Sequence, residues 1–463
     1  MFLRPKHPLP CPTLARRPTP LACIMALSLG LLLGGCANLN TTETPDANAL
    51  HGLTEAAWWR DFNDPLLAEL ITRAMRANPS ILSAQAALLQ ARALRDVKLA
   101  ATRPNLNLSG SVQRNTADGS EPSVNFRGGL DASWELDIFG ANSSALANSE
   151  ADLQAAKANL RDMQLSMTAE VALAYIQLRG LQAQLDIARH NLSSQQETLQ
   201  ITQWRAQAGL VTSLEVEQAQ TAVSQTAAQL PSLQSSLAKA QHSLAVLAGQ
   251  RPHELDTLLT ASQPIPQVAT QVANVIPADS LRQRADVRAA EERITAALAA
   301  VDAAEAARLP RFKLGGSLGL TALTLAGLNG GAAVATQVLA SMSVPLLDGG
   351  AAKAQVRAQQ AVLSQTRANY QNTLLTALKE VEDALISLQQ DRERLRHLQQ
   401  AASAADNAAL LAQNRYSSGL IDFQTVLQTQ RTLLGAQDSV ASLQAELSSG
   451  HVRLIKAMGG GWN

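Results

Sequence analysis

Apolar residues recur every seven positions over residues 140–207, and the pattern returns over residues 349–416. In the first stretch two such series run side by side, offset by four: Leu153, Leu160, Met167, Ala174, Leu181 and Ala188, together with Val171, Leu178, Leu185, Leu192 and Leu199. Two apolar positions per heptad are typical of helices that supercoil with a left-handed twist. No proline falls within 140–207, so the pattern predicts one unbroken helix of roughly 100 Å.

Between the helical stretches the period changes from near 3.6 to two. Residues 104–138 and 310–347 alternate apolar and polar side chains, which predicts two β-hairpins with one apolar and one polar face. In the second strand Leu130 falls on the apolar face and Asp131 on the polar face. This alternation is typical of strands with lipid on one side and a polar lumen on the other. A soluble hairpin with one face on a core gives the same pattern and stays open as an alternative.

The second half of the chain repeats the first. Arg205 and Gly209 match Arg415 and Gly419 at an offset of 210 residues, whereas Pro104 and Pro310, before the strands, are 206 apart. The halves therefore differ by four residues within the strand region. The predicted organisation is a first repeat over 66–250 with a helical hairpin over 140–248, a linker over 251–277, and a second repeat over 278–463 with a helical hairpin over 349–458.

Residues 1–35 are expected to be a signal peptide. Basic residues precede an apolar run that ends in Leu33-Gly34-Gly35-Cys36, and this run is too short for a membrane-spanning helix. Small residues before the cysteine resemble a bacterial lipobox, in which the cysteine is lipidated and becomes the new N-terminus. Cys36 is therefore the predicted lipid attachment site, and residues 36–65 are the predicted tether. An ordinary signal peptide with an incidental cysteine is the alternative.

The start of the first repeat is marked by Asp64-Pro65. Aspartate caps a helix N-terminus well, and proline suits its first turn. The full chain has a formal net charge of zero. Removing the four basic residues of 1–35 leaves 34 basic against 38 acidic residues, a net charge of −4. No nucleic-acid partner is predicted, because a basic footprint is missing.

Four strands cannot close a barrel, because single-chain barrels begin at about eight strands. An open sheet edge in lipid leaves backbone groups without hydrogen bonds. If the strands lie in a membrane, several copies of the chain must share one barrel. Three copies would supply about twelve strands, and the long helices would continue them as one tube.

Several motifs carry a resemblance to a known family. They are Trp58-Trp59 through Asp64-Pro65, Trp134-Glu135-Leu136-Asp137-Ile138-Phe139-Gly140, Pro345-Leu346-Leu347-Asp348-Gly349-Gly350 and Gly459-Gly460-Gly461-Trp462. Residues 36–463 resemble the TolC-like outer-membrane factors of tripartite efflux systems, in the lipoprotein branch that includes OprM and NodT. The resemblance implies a mainly α fold with membrane β: a homotrimer with a shared outer-membrane β-barrel and a long periplasmic helical barrel. It also implies partners, namely outer-membrane lipid, a periplasmic adaptor and an inner-membrane pump.

The same resemblance suggests functional residues at the far end of the helices. The turns after the long helices are expected to meet the adaptor, through Arg205, Gly209, Leu210, Arg415, Gly419 and Leu420. Relatives commonly carry an aspartate ring at the periplasmic aperture, at the position that aligns with Gln428. The aperture candidates are Glu215, Glu217, Thr425 and Gln428. A second departure is Arg284-Ala285-Asp286-Val287, where relatives usually read Arg-Pro-Asp-Val.

Catalytic chemistry finds little support in the sequence. Gly315-Gly316-Ser317-Leu318-Gly319 matches a nucleophile-elbow pattern but lies within an alternating strand rather than at a strand-to-helix turn. The seven histidines are scattered and no CxxC occurs, so no metal, cofactor or catalytic residue is predicted. Two functions remain: a passive outer-membrane exit duct, and a periplasmic lipoprotein scaffold of coiled coil without a channel. The exported substrate is not readable from the sequence.

Overall fold

The structure is a computed structural model of the full chain, and it describes residues 57–116, 123–268 and 282–460. A 3-10 turn at Trp58–Phe62 precedes two helices, α1 (Pro65–Ala77) and α2 (Pro79–Ala101). Strands β1 (Asn105–Asn115) and β2 (Ser123–Leu136) follow, then α3 (Ala141–Gln207) and α4 (Ser213–Leu247). The second half contains the short α5 (Asp256–Leu259), α6 (Ala285–Ala306), β3 (Arg311–Ala322), β4 (Ala333–Ser343), α7 (Ala351–Ser417) and α8 (Phe423–Ala457).

The long helices repeat with the same lengths and the same spacing. Helices α3 and α7 each contain 67 residues, and α4 and α8 each contain 35. Their first residues, Ala141 and Ala351, are 210 positions apart, as are Ser213 and Phe423. The unbroken helix predicted from the heptads is thus confirmed. Its heptad residues pack inward, since Leu153, Leu160, Met167 and Leu178 are buried and an apolar stripe is what stabilises such a helix.

Local sequence explains where the helices begin. The Asp64 carboxylate accepts the N–H groups of Leu66 and Leu67 at 2.9 and 3.1 Å, which satisfies donors that have no partner in the helix. Before α7, Asp348 accepts from Gly350 and Ala352, both at 2.8 Å. These backbone donors hold the pKa of Asp348 below its usual value, because they stabilise the ionised carboxylate.

The helices lie four abreast along the whole rod. Next to the sheet, α3 packs against α2 and α6, and α6 also packs against α7. At the other end, α3 packs against α4 and α8, and α8 packs against α7. The short helices meet end to end at two junctions. Asn78 donates to the carbonyl of Leu247 at 2.8 Å, and Arg284 donates to that of Ala457 at 2.8 Å.

The two junctions are repeat equivalents with different chemistry. Asn78 and Arg284 are 206 positions apart, and their acceptors Leu247 and Ala457 are 210 apart. Arg284 also pairs with Asp286 and Glu380, both at 2.8 Å. Its backbone is extended, with φ −56° and ψ 136°. Residues 282 and 283 are helical, the helix is interrupted at Arg284, and α6 begins at residue 285.

The segment before α1 is folded onto the rod. The tether was expected to reach residue 65, but Trp58 and Phe62 are buried and their rings meet edge to face at 6.2 Å. Within the predicted tether, the segment from Trp58 onward is therefore packed on the helices and not extended. Burying the two aromatic rings is favourable, whereas an extended linker would leave them exposed to water. The segment therefore packs against the helices.

The linker between the repeats also packs onto α3. Leu255 and Leu259 are buried, and an arginine joins the linker to the N-terminal segment. Arg179 is fully buried and donates to the carbonyl of Ala261 at 2.7 Å, to Gln182 at 2.6 Å and to the Tyr175 hydroxyl at 2.9 Å. Tyr175 in turn donates to Asp64 at 2.6 Å. We call these residues, Asp64, Tyr175, Arg179, Gln182 and Ala261, the Arg179 network.

Candidate functional site: the sheet faces and the helical tip

The four strands form one antiparallel sheet in the order β1-β2-β3-β4. Its register places like residues side by side across the strands. One row contains Leu108, Leu130, Leu318 and Thr336, and the adjacent row contains Asn107, Asp131, Ser317 and Gln337. Leu130 and Asp131 therefore lie on opposite faces, as the alternation predicted. The pairing across three ladders makes one continuous apolar face and one face that is polar except at Leu339, which is exposed on it.

The apolar face is exposed in the single chain. Large apolar side chains on it remain open to solvent by 39% or more: Leu106, Leu108, Val112, Leu130, Leu314, Leu318, Leu320, Val334, Val338 and Met342. Among the described elements, no α-helix packs on the sheet. A contiguous apolar surface of this size on a soluble monomer marks an interaction with a membrane or a partner.

Aromatic residues gather where the sheet meets the helices. Trp134 is 36% exposed, and its indole N–H donates to the carbonyl of Thr102 at 3.1 Å. Phe139 and Phe312 lie nearby with ring centroids 6.4 Å apart. Amphipathic aromatic rings favour the boundary between hydrocarbon and water. This rim is therefore the natural position for a membrane interface.

The opposite face of the sheet is hydrogen-bonded and charged. Asp131 accepts from the Ser109 hydroxyl across the β1–β2 ladder. Lys313 and Glu135 lie opposite each other with 3.8 Å between Nζ and the carboxylate. These side chains need water or one another, so this face suits a hydrated surface and not lipid.

The far end of the rod, which we call the tip, consists of the turns 208–212 and 418–422. Gly209 and Gly419 adopt the left-handed conformation, with φ of +70° and +75°, which is usual for glycines that end a helix. Leu210 N–H donates to Arg205 O at 2.8 Å, and Leu420 N–H donates to Arg415 O at 2.9 Å. The two turns thus have the same backbone geometry.

The predicted tip residues divide into an exposed and an engaged group. Leu210 and Leu420 are exposed by 69% and 74%. Arg205 is half-buried and lies over the Tyr416 ring, with the guanidinium carbon 4.5 Å from its centroid, and it donates to the Tyr416 carbonyl. Arg415 is exposed, and within the described part of the chain its side chain forms no hydrogen bond or ion pair. The repeat-equivalent arginines therefore have different roles. The first repeat has Ala206 at the position equivalent to Tyr416, so it offers no ring at that place.

A compact core joins the two hairpins at the tip. Tyr416 and Phe423 are buried with ring centroids 5.7 Å apart. They pack with Ala219 and Ala222 of α4 and with Val426 of α8. This core was not predicted from the sequence. A signal for it was present, because an aromatic residue stands on each side of the second turn and none stands at the equivalent positions of the first.

The aperture candidates also differ in their contacts. The Glu215 carboxylate accepts the N–H of Thr212 at 3.0 Å and closes a capping box. Thr425 donates its hydroxyl to Asp422 at 2.6 Å, and this hydrogen bond lowers the pKa of Asp422. Glu217 and Gln428 are exposed. Two of the four candidates therefore serve helix capping in the single chain.

Some predictions lie outside the described residues. Cys36 and the signal peptide 1–35 belong to this group, as do Gly461 and Trp462. Over the ranges the structure covers, no helix combines the length and apolar character needed to cross a membrane. The same ranges contain no group of three or more His, Cys, Asp or Glu side chains placed to hold a metal ion.

The fold and the two faces of the sheet point to a class of protein, and comparison with known proteins identifies that class. The family model described as outer membrane efflux protein matches residues 70–250 and 276–460, one match for each repeat. The chain belongs to the outer membrane efflux protein family. The family predicted from the sequence is thereby confirmed, and so is the mainly helical fold with a four-stranded antiparallel sheet.

Particular relatives match over nearly the whole chain. The pyoverdine export outer membrane protein OpmQ of Pseudomonas putida is 31% identical over 461 residues, which covers 95% of this chain and 97% of that protein. The solved outer-membrane channel OprN is 36% identical with a TM-score of 0.83, covering 88% of this chain and 93% of that one. The outer membrane protein VceC of Vibrio cholerae is 28% identical with a TM-score of 0.82, covering 88% and 99%.

Proposed function

We propose that this chain is the outer-membrane exit duct of a tripartite efflux system, assembled as a homotrimer. Each copy contributes four strands to a shared barrel, and its long helices continue the barrel as a periplasmic tube. Substrate is delivered at the tip by an adaptor and an inner-membrane pump and passes outward through the lumen. The chain itself conducts passively and has no catalytic role.

The observation that carries this proposal is the sheet. Its apolar face is exposed, its other face is polar, and its outer strands β1 and β4 have unpaired edges. Apolar surface of this extent is unfavourable in water, and an open edge is unfavourable in lipid. A barrel shared between copies resolves both problems. It places the apolar faces in lipid, and it pairs β4 of one copy with β1 of the next. The polar faces then line the lumen.

A test of assembly separates the duct from the coiled-coil scaffold. Outer-membrane fractions run on SDS gels without heating should contain an oligomer of three chains that dissociates on boiling. Closed barrels resist detergent because all of their backbone groups are paired. A monomer found only in the soluble periplasmic fraction would favour the scaffold instead.

The lipid anchor is a separate proposal that rests on Cys36. Wild-type protein should incorporate labelled palmitate, and Cys36→Ser should not, because the serine hydroxyl cannot form the thioether. The shared barrel should still hold the variant in the outer membrane, because its strands span the bilayer whether or not a lipid is attached. Equal labelling of both proteins would remove Cys36 as the attachment site.

We also propose that the tip turns dock the adaptor. Gly419→Val should leave the amount of oligomer unchanged while strongly reducing export and adaptor cross-linking. A Cβ at Gly419 would lie 3.7 Å from Arg205 Nη2, an ordinary contact, so the expected effect comes from φ of +75°. A non-glycine residue there costs about 1–2 kcal/mol, which reshapes the turn without unfolding the rod.

The matched control is Gly435→Val in the middle of α8. A Cβ at Gly435 meets no atom within 4 Å, and its φ is not positive. It should export normally. If Gly419→Val also exports and cross-links normally, this turn does not dock the adaptor; if it loses the oligomer, the glycine has only a structural role.

A further inference from the structure

Two histidine rings meet near the junction at Asn78 and Leu247. His242 lies toward the C-terminal end of α4, and His253 lies in the turn with which the linker begins. Their ring centroids are 4.4 Å apart, with 77° between the ring planes. The two residues are 11 positions apart in the sequence, a spacing that matches no single helix face. The fold therefore brings together two imidazoles that the sequence does not pair.

The backbone and a carboxylate both fix the direction of the His253 ring. His253 has a left-handed backbone with φ of +76°, a conformation that persists where the surrounding structure requires it. The Asp256 carboxylate lies 2.9 Å from its Nδ1. A carboxylate can only accept a hydrogen bond, so Nδ1 carries the proton and Nε2 carries a lone pair. A carboxylate in this position is what orients metal-binding imidazoles in proteins.

His242 provides the second imidazole from a regular helix. Its side chain is half-buried, and in the part of the chain that the structure describes its ring forms no hydrogen bond or ion pair. The His253 side chain is 71% exposed, so an ion can reach the pair from solvent. The neighbouring Glu254 carboxylate is engaged elsewhere, because it accepts the Arg251 N–H at 3.3 Å.

The distance between the rings suits one ion held by both. Two imidazole nitrogens bound at about 2.1 Å and at right angles place the ring centroids about 4.6 Å apart, and a tetrahedral ion places them about 5.3 Å apart. The observed 4.4 Å is nearer to the right-angled arrangement. Nitrogen ligands at right angles are typical of tetragonal Cu²⁺ and Ni²⁺ sites.

We propose that His242 and His253 bind a divalent transition-metal ion of the Cu²⁺ or Ni²⁺ type, with Asp256 as the residue that positions His253. The described residues offer no group of three protein ligands, so water completes the coordination and the ion exchanges with the solution. A bound ion ties the beginning of the linker to α4, beside the hydrogen bond from Asn78 to the Leu247 carbonyl. The site lies within one chain and is independent of assembly.

The second repeat does not reproduce this pair. At an offset of 210, His242 corresponds to Val452, which is buried, and His253 corresponds to Asn463. The equivalent junction is held by the ion pairs of Arg284 instead. Each copy of the chain therefore has one such site, at the junction without the arginine.

Titration of the purified full-length protein with Cu²⁺ tests the site. The protein is kept in detergent without a polyhistidine tag, and binding is measured by isothermal titration calorimetry. The wild type should bind one ion per chain, and His242→Ala and His253→Ala should each weaken binding at least tenfold. Asp256→Asn should weaken it by about 10–100-fold while both imidazoles still bind.

The matched control is His397→Ala. His397 also pairs with a carboxylate, that of Glu393 at 3.1 Å, but among the described residues no second histidine ring meets it. This variant should bind Cu²⁺ as tightly as the wild type. An equal loss of affinity in His397→Ala and His253→Ala would overturn the inference, as would wild-type affinity in the double variant His242→Ala His253→Ala.

Electron paramagnetic resonance of the bound Cu²⁺ counts the nitrogen ligands without relying on any variant. The wild-type spectrum should show coupling to two imidazole nitrogens. The His242→Ala and His253→Ala spectra should show coupling to one, and Asp256→Asn should retain two. Coupling to a single nitrogen in the wild type would overturn the inference.

Discussion

Arg179→Leu should strongly destabilise the protein. Arg179 is fully buried and donates to Tyr175, Gln182 and the carbonyl of Ala261. Leucine leaves those acceptors buried without a donor, at about 1–3 kcal/mol each. The linker and the N-terminal segment should then detach from α3.

The measurement is the temperature at which the SDS-resistant oligomer dissociates, compared at equal expression. The matched control is Arg189→Leu, ten residues further along α3. Its side chain is 55% exposed and its pair with Asp186 is 3.6 Å long. Surface pairs of this kind contribute about 0–1 kcal/mol, so the control should behave as wild type. Equal dissociation temperatures for the two variants would show that the Arg179 network does not hold the fold.

Leu130→Arg should abolish assembly, whereas Asp131→Arg should not. Leu130 lies in the apolar row between Leu108 and Leu318, and Asp131 lies in the polar row between Asn107 and Ser317. An arginine that faces lipid near the bilayer midplane costs about 2–4 kcal/mol per copy, and far less elsewhere. In a trimer this free-energy cost applies three times, since every copy carries the substitution.

The two neighbouring substitutions control for each other, because they introduce the same residue into the same strand. The quantity compared is oligomer in the outer membrane at equal total protein. The reverse order, with Asp131→Arg the more damaging, would place the polar face toward lipid and contradict the duct. Equal effects would mean that neither face meets a membrane.

Much of the fold was predictable because its determinants are local. The heptads of α3 and α7 specify long helices within each stretch, and Asp64-Pro65 marks a helix start through a hydrogen bond two and three residues away. Gly209 and Gly419 end their helices because only glycine adopts φ near +70° without strain. Alternation over residues 104–138 specified both faces of the hairpin, since a strand has only two.

The contacts that were not predicted depend on segments distant in sequence. Nothing around Arg179 distinguishes it from a solvated arginine on a helix. It is buried because the linker near Ala261 returns to α3, 82 residues later. Arg205 and Arg415 share only the Arg-x-x-x-Gly-Leu frame of the turns, and among the described residues Arg205 alone of the two stacks on a ring. That difference lies in Tyr416, on the other hairpin, and it appears only when the repeats are compared position by position.

The most direct test of the duct is single-channel recording of the purified oligomer in planar bilayers. The SDS-resistant oligomer should give discrete, uniform conductance steps, and boiled protein at the same concentration should give none. A sheet with a polar face, repeated around a closed barrel, leaves a hydrated lumen. An intact oligomer that inserts into the bilayer without conducting would contradict the central claim that this chain forms an open path through the membrane.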